Sequence, residues 1–465
     1  MKKLIIIISF CLGTSLLAQE DSSVLRFDEF LGYVKAYHPV VKQASLLIDE
    51  SQANLMKARG AFDPKLEVDY DRKKFKGTEY FDKLNATFKI PTWYGIELKA
   101  NFEENQGLFL NPENTLPSDG LYSAGVSFSV AQGLLMNKRM ASVKQAKLFR
   151  EQAKVDRDIL VNNILYEASL VYFNWLKVYN ERQVFNDFLS NAKMRFDGIK
   201  RSVETGEKAA IDSIEARITL NDRQLNLEKA NVKLMKAALE LSNYLWLENN
   251  IPVELQPNII PDIQSETIIN NTLQVSEFSL NNFNIEEHPK IQSLSFKYES
   301  LNIDRRLKVN MLLPKIDLEY NFLTQTPELA NSFNTINYKS GVKISFPLFL
   351  RKERGDLKLA KLKMNDLEYE ITSSKLQIQN KISAIKQELD SYVRQNEITR
   401  IIVEDYLTLV KAEERKFTLG ESSLFLVNTR ESKLIDAKLK AIELENKYFS
   451  TKALLFNSLI TNLNS

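Results

Sequence analysis

Two histidines occur in the chain, and each opens the same phrase. His38-Pro39 is followed 26 positions later by Pro64-Lys65-Leu66-Glu67-Val68-Asp69-Tyr70. His288-Pro289 is followed 26 positions later by Pro314-Lys315-Ile316-Asp317-Leu318-Glu319-Tyr320. A junction repeated at a fixed offset, 250 residues apart, restricts the fold to two similar halves. Each His-Pro reads as a helix start, since proline is tolerated in the first turn, where its missing N–H would lack a partner anyway. Each Pro-Lys tract then alternates apolar and polar residues, the period of a strand.

Glycine and proline divide the rest. No proline lies between Pro117 and Pro252 and none follows Pro347; no glycine lies in the 64 residues between Gly133 and Gly198. Breaker-free stretches rich in Lys, Glu, Leu, Ala and Asn read as long helices. At about 1.5 Å per residue, 64 residues span roughly 96 Å, more than a compact globule of this mass uses. Heptad rows mark helix–helix seams: Leu165, Ala168, Tyr172, Trp175, Tyr179; Ile218, Leu225, Val232, Leu239, Trp246; and Ile382, Ile385, Leu389, Tyr392.

Six segments alternate as strands: Lys65–Tyr70, Leu84–Ile90, Tyr94–Phe102, Tyr122–Val130, Lys315–Phe322 and Tyr338–Phe346. One face of each is apolar and aromatic and the other polar or charged. Such a sheet suits either a half-buried sheet in water or a barrel with lipid outside and water inside. The N-terminus decides between them. Met1-Lys2-Lys3, the apolar run Leu4-Ile5-Ile6-Ile7-Ile8 and Leu16-Leu17-Ala18 read as a secretory signal peptide over residues 1–19. The only cysteine, Cys11, falls inside it, so the mature chain offers no disulfide, thiol nucleophile or thiolate metal site. No later stretch approaches the roughly 18 apolar residues of a membrane helix, so membrane entry requires a closed barrel.

Each half thus reads helix, strands, long helices. The first repeat is 20–248, with a helix roughly from Phe27 to Lys57, strands about 62–131 and helices about 138–247. The second is 279–465, with strands about 314–347 and helices about 354–463. Between them 249–278, with Pro252, Pro257 and Pro261, reads as an extended connector. With 62 basic and 60 acidic residues the net charge is +2, and no basic cluster stands out, so nucleic acid is not an expected partner.

This plan resembles the TolC-like outer membrane efflux protein family over essentially the whole mature chain. Two local motifs carry the resemblance. The strand-to-helix entry Val342-Lys343-Ile344-Ser345-Phe346-Pro347-Leu348-Phe349 has a looser first-half partner in Ser127-Phe128-Ser129-Val130-Ala131-Gln132-Gly133-Leu134-Leu135. The helix-turn motif places a glycine six residues before an acidic position. It runs from Gly206-Glu207-Lys208 through Asp212 and Glu215, and again from Gly420-Glu421-Ser422 through Leu426 and Thr429.

The resemblance implies an α+β membrane protein. Its homotrimer would form one outer-membrane β-barrel continued by a long periplasmic α-helical coiled-coil barrel. It implies a passive exit duct of a tripartite efflux or type I secretion system in a Gram-negative bacterium. Its partners would be outer-membrane lipid, a periplasmic adaptor (membrane fusion) protein and an inner-membrane pump. The family usually supplies four strands per protomer, against six here: either an extra hairpin joins the barrel, or part of Leu84 to Phe102 folds outside the membrane band. Its members often close the periplasmic end with acids of the second-half motif. Here those positions are Leu426 and Thr429, and the acids Asp212 and Glu215 stand in the first half.

The candidate constriction and adaptor-contact tip is therefore Gly206, Glu207, Asp212, Glu215, Gly420, Glu421, Leu426 and Thr429. In a trimer Asp212 and Glu215 would each form a ring of three carboxylates that attracts cations. The competing reading is surface acid paired with Lys208 or Arg217 at helical spacing. Catalytic, metal and cofactor roles are not expected: no GxSxG, P-loop, GxGxxG or HExxH occurs. Two histidines alone fall short of a zinc site. The alternative overall reading is a periplasmic coiled-coil scaffold or adaptor without a barrel, which would share the signal peptide and heptads.

Overall fold

A computed structural model of the chain describes residues 23–275, 283–328 and 332–460; the expected signal peptide and Cys11 lie outside them. In chain order the elements are β1 (Val24–Leu25), α1 (Phe27–Tyr37), α2 (Pro39–Arg59), β2 (Lys65–Phe75), β3 (Thr78–Pro91), β4 (Ile96–Gln106), β5 (Leu121–Ser129), α3 (Lys138–Glu204) and α4 (Ala210–Ser242). Short bridges β6 (Trp246–Leu247), β7 (Ile251–Pro252) and β8 (Ile260–Pro261) lead to α5 (Glu266–Leu273). Then follow α6 (Pro289–Asn310), β9 (Lys315–Thr324), β10 (Tyr338–Ser345), α7 (Arg351–Thr418) and α8 (Leu424–Leu459). Contacts divide these into two units. Among the described residues no helix is long and apolar enough to cross a membrane.

Both His-Pro dipeptides do the same job. The backbone of His38 and of His288 is extended at ψ 131° and 127°. Each imidazole Nδ1 accepts the N–H two residues on, from Val40 and from Lys290, both at 3.2 Å. That is an N-cap: a side-chain acceptor satisfies a donor of the first turn, where proline occupies the position that needs none. The cap at His38 breaks what reads in sequence as one helix from Phe27 to Lys57 into α1 and α2.

One unit holds the sheet. Its order is β10-β9-β5-β4-β3-β2, with every neighbouring pair antiparallel. The segment from Leu84 to Phe102, whose membership the sequence leaves open, lies within this sheet, in strands that run longer than the alternation suggests. The β2–β3 hairpin turns through Lys76-Gly77, both at positive φ (50° and 80°), the two-residue turn whose twist matches antiparallel strands.

Register makes continuous rows. Leu66, Phe88, Ala100, Ala124, Phe322 and Tyr338 pair in succession across all six strands. Ile90, Leu98, Val126 and Tyr320 form a second apolar row on the same face. On the opposite face Lys65, Lys89, Lys99, Gly125, Asn321 and Lys339 pair in the same way. That polar face is cross-linked by Lys99–Glu319 at 3.3 Å, Thr87–Asn101 at 2.8 Å, Ser129–Asp317 at 2.5 Å and the Lys89–Glu67 pair. Where the sheet meets the start of α3, Met136, Met140 and Ala141 bury against Trp93 and against Ile303 and Leu307 of α6.

The other unit is helical. Phe27, Phe30, Leu31 and Val34 lie at helical spacing on α1 and are buried. Phe27 meets the rings of Tyr172 and Phe173 at 5.2 and 5.0 Å. The Tyr172 hydroxyl donates to Leu25 O at 2.9 Å, and burial raises its pKa well above the ordinary tyrosine range. The predicted α3 row Leu165, Ala168, Tyr172, Trp175 and Tyr179 is buried throughout. Further along, Val184 and Phe188 of α3 close a core with Val410 of α7 and Leu434 and Ile435 of α8.

Two expectations fail here. The 249–278 segment is not wholly extended: α5 forms within it because Ile269 and Leu273, four apart, find burial, and the helix packs against α1. The predicted α4 seam is not part of the chain's own core. Ile218, Leu225, Val232 and Leu239 are about half exposed, at 57, 53, 48 and 47 %. Trp246 lies beyond the end of α4, in β6. The buried row of α4 is instead Ala216, Arg223, Ala230 and Ala237, a parallel heptad of mostly small residues. Alanines let helices of one chain approach closely, while the larger apolar row stays about half exposed.

Candidate functional site

The candidate residues cluster at two helix turns of the helical unit, α3–α4 and α7–α8. The turns are built alike. Gly206 and Gly420 adopt φ of 80° and 81°, the left-handed conformation in which a side chain is costly. Gly206 N–H donates to Val203 O at 3.1 Å and Glu207 N–H to Ser202 O at 2.8 Å. Gly420 N–H donates to Phe417 O at 3.1 Å and Glu421 N–H to Lys416 O at 2.9 Å. Both are the double-bonded C-terminal cap of a helix, which uses its last carbonyls and reverses the chain. The restarts differ: Ser423 caps α8, with its Oγ 3.4 Å from Leu426 N–H, whereas α4 starts from Ala209, without a side-chain cap.

The turns also pack on one another. Ile199 of α3, Ala216 of α4 and Leu424 of α8 form a buried cluster with Phe196, Val203 and Phe417 around it. Lys208 Nζ sits 4.0 Å above the Phe417 ring. The side chains of Glu207, Glu421 and Thr429 are exposed, as are Leu419 (66 %) and Phe425 (66 %), and Leu426 is open at its edge. Thr429 turns its hydroxyl back to Phe425 O at 2.7 Å.

The two acids differ in their surroundings. Glu215 is tied to its own chain: Asn428 of α8 donates to it at 3.5 Å and to Thr219 at 3.1 Å. Asp212 is half-buried in the first turn of α4, where its carboxylate is favoured by the helix dipole. Among the described residues neither acid pairs with Lys208 or Arg217; Lys208 is over the Phe417 ring instead.

Sequence reading missed the cluster behind the turns. Glu431 of α8 is fully buried, and Arg195 of α3 grips it with two nitrogens at 3.1 and 3.3 Å. Arg195 also reaches Glu414 of α7 at 3.0 Å, and Arg223 of α4 reaches Glu431 at 3.5 Å and Ser432 at 3.2 Å. Three helices therefore meet at the Glu431 carboxylate, and α7 joins them through Arg195 and Glu414. A positional signal was available: Arg195 stands eleven residues before Gly206 and Glu431 eleven after Gly420, at matching heights of two hairpins. Nothing in the sequence distinguishes these charges from solvated ones, because their burial depends on the facing hairpin.

No family model and no curated protein matches this sequence. Solved structures do match. The Campylobacter jejuni CmeC outer membrane channel superposes with a TM-score of 0.64 at 13 % identity, covering 93 % of this chain and 85 % of that one. The open-state Neisseria gonorrhoeae MtrE outer membrane channel gives 0.66 at 12 %, covering 94 % and 89 %. The Vibrio cholerae outer membrane protein VceC gives 0.63 at 11 %, covering 93 % and 95 %. The chain therefore has the fold of the TolC-like outer membrane channels over nearly its full length, as the resemblance in its motifs implies.

Proposed function

We propose that this chain is the outer-membrane exit duct of a tripartite efflux or secretion system, a passive conduit and not an enzyme. Three copies close one barrel in the outer membrane and line one tunnel in the periplasm of a Gram-negative cell. An adaptor and an inner-membrane pump dock at the α3–α4 and α7–α8 turns. The observation that carries this reading is the six-stranded sheet, with one face of unbroken apolar rows, the other of charged and amide side chains, and two unpaired edges. Such a sheet is stable in lipid only when its edges close and its apolar face meets acyl chains. A periplasmic scaffold has no use for exposed Leu66, Val68, Val342 and Ile344 on one sheet face.

The exposed α4 row supports the same assembly. Ile218, Leu225, Val232 and Leu239 repeat every seven residues, the spacing of a seam that awaits another helix, here one from a second copy. In that assembly three Asp212 carboxylates form the periplasmic constriction. Glu215 serves to hold α4 against α8. Exposed Leu419, Phe425 and Leu426, flanked by Glu207 and Glu421, form the adaptor contact.

Fractionation of cells that express the protein tests the reading. It should sediment with the outer membrane and migrate as a trimer after mild detergent extraction. Recovery as a soluble periplasmic monomer would contradict it.

A further inference from the structure

The end of the sheet farthest from the helices carries a basic cluster that the balanced overall charge conceals. Helices join the sheet at one end only: α2 leads into Lys65 and α6 into Lys315, while Ser129 and Ser345 lead on to α3 and α7. At the other end the β2–β3 hairpin holds Arg72-Lys73-Lys74-Phe75-Lys76, four cations in five residues. The nearby acids Glu79 and Asp82 are already committed. Arg72 binds Glu79 at 2.5 Å and lies 3.7 Å from Asp82, which also accepts the Tyr70 hydroxyl at 2.9 Å. Among the described residues Lys73, Lys74 and Lys76 have no carboxylate partner.

Two of these lysines rest on aromatic rings instead. Lys73 Nζ is 4.9 Å from the centre of the Tyr80 ring and Lys76 Nζ is 5.5 Å from that of Phe75. Phe75 and Phe109 flank Tyr80, with centroids at 6.4 and 4.8 Å. The loop after β4 is tied to the hairpin. Phe109 N–H donates to Tyr80 O at 3.1 Å, and a Cβ on Gly107 would come within 2.5 Å of the same oxygen. Phe75, Leu108 and Phe109 stay exposed, at 55, 84 and 60 %. The tip is thus one platform that presents apolar side chains beside three ammonium groups.

Its level follows from the register. On the apolar face of β2, Leu66, Val68 and Tyr70 give way to Arg72, which pairs with Asp82 and, beyond it, Gln106. The apolar face therefore ends at Tyr70. Lys73 and Lys74 come three and four residues later, about 10–14 Å along the strand. At a strand tilt near 45° that is about 7–10 Å above the apolar edge, the level of the lipid headgroups. Exposed aromatic side chains mixed with lysines are the composition that settles at such an interface.

We propose that the β2–β3 tip binds the phosphate of an anionic lipid headgroup in the outer leaflet, with Lys73, Lys74 and Lys76 supplying the positive charge. The inference rests on the duct reading, which sets this end of the sheet on the outer side, and goes beyond it by naming a lipid chemistry and the residues that select it.

Native mass spectrometry of the detergent-extracted full-length protein tests it. The probes are a bisphosphorylated glycolipid and the same glycolipid without its phosphates. Lys73→Gln with Lys74→Gln and Lys76→Gln should weaken binding of the phosphorylated lipid about a hundredfold and leave the other unchanged. Arginine at the same three positions should keep the affinity. Lys358→Gln with Lys361→Gln and Lys363→Gln removes the same charge from the exposed surface of α7 and should have no effect. Equal binding of the two lipids, or equal weakening by the α7 set, would overturn the proposal. Displacement of the lipid by low-millimolar inorganic phosphate would overturn it in favour of a general anion site. Trimers that sediment with the outer membrane in every variant would confine any such failure to the tip. Recovery of the native protein from the soluble periplasm would sink the tip and the duct together.

Discussion

Replacing Glu431 by glutamine removes the buried carboxylate to which Arg195 of α3 and Arg223 of α4 bind. Arg195 and Arg223 are only 12 and 10 % exposed at their side chains, and Glu431 is 0 % exposed. Breaking a buried pair by removing one partner costs about 3–5 kcal/mol, because the remaining charges stay buried without compensation. Arg195 retains Glu414, whose carboxylate is 42 % exposed, so the low end of that range applies to it. Among the described residues Arg223 retains only Ser432 and its Nε is buried without a partner, so the high end applies there.

The loss is local, and amide hydrogen exchange reads it best. At about 1.4 kcal/mol per tenfold, exchange in peptides around Arg195 and Glu431 should accelerate by two to three and a half orders of magnitude. Arg195→Met with Arg223→Met and Glu431→Leu together should exchange nearly as slowly as the native protein, since apolar packing replaces the buried charges. Unchanged exchange in Glu431→Gln would refute the reasoning and mark the cluster as hydrated.

Gly206→Ala and Gly420→Ala should each destabilise by about 1–2 kcal/mol, measured as a lowered unfolding midpoint. A new Cβ meets nothing within 4 Å at either position, so a larger loss would show that the turn conformation is not the cause. Burial lowers the pKa of Lys452 to about 8, beside Asn270 and 3.9 Å above the Tyr448 ring. The unfolded chain then binds more protons than the folded one between that value and the ordinary lysine pKa. The penalty is therefore full below pH 8 and fades as pH rises. Lys452→Met should gain about 1 kcal/mol more over the native protein at pH 7 than at pH 9; an equal gain at both would contradict it. Val126→Arg places a charge on the apolar face and should cut trimer yield, at about 2–4 kcal/mol for a lipid midplane site; normal yield would reverse the face assignment. Asp212→Asn should reduce cation selectivity in single-channel recordings, whereas Glu215→Gln, at a position already tied to Asn428, should change it far less. Equal effects would place both acids on the conduit.

Local periodicity made most of the fold legible. The strand alternation from Leu66 to Phe346 reports the two faces of the sheet and the α3 row from Leu165 to Tyr179 reports a buried stripe, because each period needs only its own element. The twin glycine turns were legible for the same reason: positive φ is a local demand. What depended on a partner was not. Ile218 and Ala216 both sit on α4 with heptad spacing, and size alone does not tell which faces the chain's own helices and which another's. Arg195, Arg223 and Glu431 read as solvated charge until the facing hairpin buries them. The helix α5 in the connector likewise arises from packing, against α1.

Single-particle imaging of the detergent-extracted protein tests the central claim most directly. The account predicts threefold particles in which the sheets of three copies close one hollow barrel and the helices surround one continuous tunnel. A monomeric particle, or an assembly whose six-stranded sheets remain open, would contradict it.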